Sequence, residues 1–256
     1  MTERFSFEVV DALDYEELRP GYAAEAVAWV VDQAGIGSGS LVIDLAAGTG
    51  QLSRRFASLG IDVVAVEPAS NMRAVLEERV PAIRIMDGTA ESIPLEDASA
   101  DTVVVGNAFH HFDRGAAFEE IRRVLRPEGS LALFWAWMLE EQFLRYPWMQ
   151  EVDAVVEATR ASSAIATAYR TWKEPPEDSA GFSPFERREF PVSHTIASAR
   201  VADLYATSSD VASLPPARRE ALLDRIRELS RGQPPLLTLA GRSVVDLCSR
   251  CASSEA

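Results

Sequence analysis

The sequence predicts an α/β protein built on one mostly parallel sheet, and three observations carry that prediction. Short apolar runs alternate with helical stretches of about 10–15 residues, which is the pattern of βαβ units. The runs are apolar throughout rather than alternating, as strands become when helices cover both faces of a sheet. Glycines recur where the runs and helices meet, at Gly35, Gly48, Gly50 and Gly60.

The elements follow in order. Residues 22–34 have helical composition and stop at Gly35, which suits a helix end. Leu41 to Asp44 is the first strand, and Gln51 to Leu59 is a helix closed by Gly60. Ile61 to Val66 is the second strand, ending at Glu67-Pro68. Ser70 caps a helix running to Arg79, and Ile83 to Met86 is a brief third strand. Asp101 to Gly106 is the fourth, and Ala116 to Leu125 is an amphipathic helix with Phe118, Ile121, Val124 and Leu125 on one face. After the Pro127-Glu-Gly129 turn comes a fifth strand, Ser130 to Trp135. Beyond Trp137 the rhythm changes. A helix is expected from Pro147 to about Ser162, a loop around 173–181 and a strand over Phe185–Val192. Helices are expected over 197–207 and 216–229, the second capped by Ser213, and a last strand within 236–247. The chain reads as a single domain. Its parts are an N-terminal helical segment (1–40), a binding core (41–137), an inserted lid (138–181) and a C-terminal part that completes the sheet (182–256).

Composition narrows the function. With 39 acids against 25 bases the chain carries a net charge of −14, which repels phosphate backbones and excludes nucleic acid as an expected partner. No run approaches the roughly 20 apolar residues of a membrane span. The first residues lack a basic stretch followed by an apolar one, so a cytoplasmic protein without membrane association is expected, as monomer or homodimer. Cys248 and Cys251 are spaced C-x-x-C, but a zinc site needs about four ligands and the three histidines are elsewhere, so no metal is expected.

The chemistry concentrates where strand one meets the next helix, in Asp44-Leu-Ala-Ala-Gly48-Thr-Gly50. Glycines there let backbone approach a ligand, and a helix start offers free N–H groups. Glu67, at the end of strand two, is placed to accept hydrogen bonds from ribose hydroxyls. A nicotinamide-dependent oxidoreductase uses a related turn, G-x-G-x-x-G/A, in which Ser53 stands at the third small position. A binding module that keeps the pocket without turnover is the other alternative.

The same turn resembles the first motif of class I S-adenosylmethionine-dependent methyltransferases, in their small-molecule, type 11 or 25 branch. Further motifs of that family follow in order. Val66-Glu67-Pro68 with Met72 resembles its ribose acid and adenine contact. Asp87 to Pro94, with Thr89, Ala90 and Glu91, resembles its adenine loop. Asp101 to Phe112, with Asn107, His110 and His111, resembles its fourth-strand motif. Leu125-Arg-Pro127-Glu-Gly129 resembles the turn before strand five, and Tyr15 to Tyr22, with Arg19, an upstream segment. Residues 11–137 carry the likeness.

The resemblance implies a Rossmann-like sheet of seven strands, the last antiparallel, with S-adenosylmethionine at the tips of strands one, two and four. It implies cofactor contacts from Arg19, Asp44, Ala46, Gly48, Gly50, Glu67, Pro68, Met72, Thr89, Ala90, Glu91 and Asn107. The acceptor is expected to be a small molecule with an O, N or C nucleophile, and His110 or His111 is placed to act as general base. Tyr146, Trp148, Met149, Tyr169 and Trp172 make the inserted stretch aromatic and apolar, which suits a planar or apolar acceptor. Two positions depart from the family. Ala46 stands where glycine is usual, so its backbone must avoid positive φ or bear strain. Thr89 replaces an aspartate, leaving Asp87 or Glu91 as acceptors for the adenine amine.

Overall fold

The computed structural model describes residues 7–138, 145–160 and 181–251. Its centre is a seven-stranded sheet in the order β3-β2-β1-β4-β5-β7-β6, six strands parallel and the last antiparallel. The strands are β1 (Leu41–Leu45), β2 (Asp62–Val66), β3 (Arg84–Met86), β4 (Ala100–Gly106), β5 (Leu125–Met138), β6 (Glu186–Ala197) and β7 (Leu236–Ser249). The helices are α1 (Ala12–Leu18), α2 (Ala24–Gln33), α3 (Gln51–Ser58), α4 (Ser70–Arg79) and α5 (Arg114–Val124). After them come α6 (Trp148–Arg160), α7 (Val201–Ala206), α8 (Ser209–Ala212) and α9 (Pro216–Ser230). This is the Rossmann-like architecture expected from the sequence.

Register sets the site. Asp44 pairs with Ala65 of β2 and Val104 of β4, so three parallel strands end side by side. Strand order reverses between β1 and β4, and at such a switch point the loops leave in opposite directions and open a crevice. Both faces of the sheet are covered. Ala132 and Phe134 of β5 join a core with Val27 and Val30 of α2 and Phe56 of α3, while the alternating Leu131, Leu133 and Trp135 are equally buried.

The chain forms two compact units. One comprises 22–136, 174–190 and 243–256 and contains β1 to β4 with α2 to α5. The other comprises 1–21, 137–173 and 191–242. Within the second unit, Met149, Val152 and Val156 of α6 pack with Leu222 and Ile226 of α9 and Leu237 and Leu239 of β7. Tyr146 and Trp148 belong to this core, whereas Tyr169 and Trp172 lie outside the described residues.

Several local expectations change. Ser70 is the first helical residue of α4 and Ala69 the cap, while Ser213 closes α8 instead of capping α9, whose cap is Pro215. The Pro127-Glu-Gly129 turn lies inside β5 as a bulge: Ala100 pairs with Leu125, but Thr102 pairs with Ser130. Glu128 takes φ 65° there. A Cβ on Gly129 would lie 2.9 Å from the Arg126 carbonyl oxygen, which accounts for glycine at that position. Cys248 is buried in β7 and Cys251 follows the strand. Three extended residues span about 10 Å, beyond the reach of a disulfide. Burial also pushes the Cys248 thiol pKa well up, so it is inert.

Candidate active site

Glu67 is the organising group. It directly follows β2 at 5% exposure, and its two oxygens are held apart in function. Oε2 accepts from the Gly48 N–H at 2.8 Å, and Oε1 accepts from the Ala69 N–H at 2.8 Å. The carboxylate therefore ties the glycine turn after β1 to the turn after β2. Arg73 of α4 donates to the carbonyls of Glu67 and Pro68 at 2.7 Å each, fixing the second turn from outside.

The glycine turn is built for this approach. Gly48 takes φ 57° and Gly50 φ 87°, both in the left-handed region. Gly50 caps α3, and a Cβ there would lie 2.1 Å from Leu76 Cδ1. Ala46 takes φ 55° without being glycine, so the strained alternative expected at that position is the one adopted. Asn107, at the tip of β4, takes φ 50°. Its N–H donates to the Phe134 carbonyl at 2.8 Å and its Oδ1 accepts from the Ala136 N–H at 2.9 Å. The tips of β1 and β4 thus both carry left-handed non-glycine residues, held by neighbouring strands.

Asp44 is 1% exposed. Its Oδ2 accepts from the Ser53 N–H at 2.9 Å and from the Ser53 hydroxyl at 2.6 Å. Burial pushes its carboxyl up to about 6, the Ser53 hydrogen bonds oppose this, and the charge of Glu67 adds to the rise. Ser53, seen in the sequence only as a small residue, is the group that keeps Asp44 in place.

In the loop after β3, Thr89 and Ser92 form a small antiparallel bridge and Ala90 is 3% exposed. Gly88 is required, because a Cβ would lie 2.6 Å from Pro94 Cδ. Both acids weighed as replacements for the missing aspartate have protein partners. Glu91 accepts from the Asp113 N–H at 2.8 Å, and Asp87 pairs with Arg73 at 3.3 Å. Met72 is 1% exposed and packs as a core side chain of α4. Arg19 belongs to the second unit, where its Nε donates to Thr207 Oγ1 at 2.9 Å and its guanidinium lies over the Tyr15 ring.

His110 and His111 lie on a 3-10 turn, Phe109–His111, directly after β4. Phe109 anchors the turn against Phe112 and Phe118. The two imidazoles lie against each other with centroids 3.9 Å apart and planes inclined by 42°, and Trp135 lies 6.0 Å from His110. Burial pushes His111 down to about 4, so it is neutral at pH 7 and a weak base. His194 is in the second unit and its basicity is also lowered by burial. Among the described residues no group of three or more His, Cys, Asp or Glu is arranged to hold a metal, and no helix is long and apolar enough to cross a membrane.

The sequence matches the profile of a methyltransferase domain over residues 43–133. It is 34% identical over 238 residues to an uncharacterised methyltransferase of Mycobacterium tuberculosis, covering 92% of this chain and 91% of the relative. The chain belongs to the class I methyltransferase family. Solved structures share its fold at lower identity. A protein of Anaeromyxobacter dehalogenans, provisionally assigned as a type II methyltransferase, superposes with a TM-score of 0.58 at 22% identity, covering 91% of this chain and 97% of that one. A phosphoethanolamine N-methyltransferase of Haemonchus contortus, solved with phosphomonomethylethanolamine and S-adenosylhomocysteine, gives 0.54 at 17%, covering 94% of this chain and 57% of that one.

An acid at the tip of β2 is common to dinucleotide sites as well. What sets this turn apart is the buried Asp44 at its start. Its charge would oppose a pyrophosphate seated on the turn, which speaks against the oxidoreductase alternative.

Proposed function

We propose that this methyltransferase moves a methyl group from S-adenosylmethionine to a small-molecule acceptor, with the adenosyl group seated between the Gly48 turn and Glu67. The observation that carries the reading is the buried Glu67 carboxylate spanning the turns of β1 and β2. The donor set fits this cofactor. A carboxylate at the tip of β2 offers acceptor oxygens of the kind that ribose hydroxyls need, beside the glycine turn. The ligand has no phosphate and carries cationic groups, which suits a turn lined by two acids.

The bound cofactor supplies an electrophilic methyl sulfonium. The chain's residues then have to orient, exclude water and accept a proton. Asp44, with Ser53 behind it, favours an ammonium beside the turn. Ala90 and Thr89 border the adenine, and Asn107 holds the tip of β4 near the reacting centre. Burial lowers the basicity of His111, so His110, on the same turn after β4, is taken as the base. The Haemonchus enzyme's small phosphorylated amine supports a small acceptor as the substrate class.

Isothermal titration tests the reading. S-adenosylhomocysteine is expected to bind one site in the wild-type protein, Glu67→Gln to weaken it by at least about tenfold (~1.4 kcal/mol), and NAD to give no heat. Unchanged affinity in Glu67→Gln would remove the ribose assignment. Transfer of labelled methyl to a panel of small oxygen and nitrogen nucleophiles tests turnover, and binding without transfer to any of them would favour the non-catalytic alternative.

A further inference from the structure

A buried charged group beside the site has no part in the reading above. Asp246 of β7 is fully buried, and three donors converge on its carboxylate. Arg187 of β6 binds it through two nitrogens, Nε to Oδ1 at 2.7 Å and Nη2 to Oδ2 at 2.8 Å. The indole N–H of Trp135, on β5, donates to Oδ2 at 3.1 Å. The three residues come from the adjacent strands β5, β7 and β6, so they form a row across one face of the sheet. β4, from which His110 leaves, is the next strand along.

Such a group is costly. A carboxylate taken wholly out of water loses its hydration, and a bidentate guanidinium only offsets that loss. Apolar residues of similar volume would pack the same place without it. What the ion pair provides is direction. An indole has two rotatable bonds, and fixing its N–H on a carboxylate locks the second, so the ring plane is set. That plane is inclined only 34° to the His110 ring, at 6.0 Å between centroids. Phe109 holds the backbone of the same turn through Phe118, at 5.2 Å. The backbone of the turn and the imidazole it carries are therefore held separately.

We propose that Arg187, Asp246 and Trp135 act as a clamp that fixes the orientation of the His110 ring, making the three positioning residues for the transfer. Its catalytic meaning rests on His110 being the base, while the clamp itself is a statement about ring orientation. The chain has only three histidines, so ring resonances are few, and a His110→Gln spectrum assigns the one in question.

The test is NMR of the full chain with S-adenosylhomocysteine bound, following histidine ring and indole N–H signals in Trp135→Phe and Asp246→Asn. Trp135→Phe removes the indole donor and leaves the Arg187–Asp246 pair intact, so it keeps the fold even if Asp246→Asn does not. In Trp135→Phe the His110 ring signal should shift or broaden and His111, in contact with it, should follow, while His194 stays in place and cofactor affinity stays within about twofold. In a folded Asp246→Asn protein the Trp135 indole signal should move together with that of His110. A His110 signal unchanged in Trp135→Phe would overturn the clamp, as would a His194 signal that moves equally, since that reports general loosening. If His110 moves as expected but His110→Gln still transfers methyl groups, the clamp stands and the base assignment falls.

Discussion

Replacing Asp44 by asparagine separates what this acid costs the fold from what it gives the site. Its carboxyl is raised from 3.8 to about 6 by burial, so the folded state holds its proton more tightly than the unfolded state. Two units correspond to about 3 kcal/mol. For an acid with a raised pKa the sign is unfavourable. Below about pH 4 both states are protonated and nothing is lost. Between about 4 and 6 stability falls by roughly 1.4 kcal/mol per pH unit, and above 6 the loss is constant. Asparagine mimics the protonated form and keeps an oxygen for the Ser53 N–H and hydroxyl. Its extra N–H groups need partners, which costs about 1–3 kcal/mol at every pH. The pH profile is therefore the diagnostic. Urea unfolding of both proteins from pH 4 to 7.5 should show the variant gaining on the wild type up to about pH 6 and then levelling. Meanwhile its affinity for S-adenosylhomocysteine should fall. A stability difference that is flat across this range would refute the burial argument.

Other outcomes follow from the same geometry. Ala46→Gly should stabilise the protein by about 0.5–1 kcal/mol, because φ 55° strains alanine more than glycine loses in the unfolded chain; thermal melts should rise by about 2 °C. Gly50→Ala should cost roughly 2–4 kcal/mol, since its Cβ would meet Leu76 at 2.1 Å with φ at 87°, and denaturant midpoints read this directly. Ser53→Ala removes the shortest hydrogen bond to Asp44 and should weaken cofactor binding without opening the fold, as checked by titration calorimetry and circular dichroism. The His111 ring should keep its neutral NMR shifts from pH 8 down to about 5, because burial holds it near 4.

The strands were legible because burial on both faces writes itself as continuous apolar runs: β1, β2 and β4 fall within a residue or two of the runs read from the sequence. The start of β5 was not legible. Pro127 and Gly129 read as a turn before a strand, while pairing of Leu125 with Ala100 continues the ladder across them as a bulge. Within the N-terminal segment read as helical, α1 is not delimited, and α8 leaves no signal, because too few turns are present to show a period. Caps were read one step off at Ser70, where an alanine with extended backbone serves instead.

Within the site, the facing of Glu67 and Gly48 followed from strand order, since parallel neighbours end together. Ser53 could have been found as an acceptor's partner: it lies in the first turn of α3, where free N–H groups face back to the strand carrying Asp44. The commitments of Glu91 to Asp113 and of Asp87 to Arg73 depend on how loops pack and leave no pattern in the sequence. The Trp135–Asp246 bond joins residues 111 positions apart, and only the completed sheet brings them together.

A crystal of the protein soaked with S-adenosylhomocysteine tests the central claim most directly. Density for the adenosyl group between the Gly48 turn and the second strand tip, with ribose hydroxyls about 3 Å from the Glu67 oxygens, is the expected result. Density elsewhere, or a crevice closed by protein side chains with no nucleoside in it, would contradict the account.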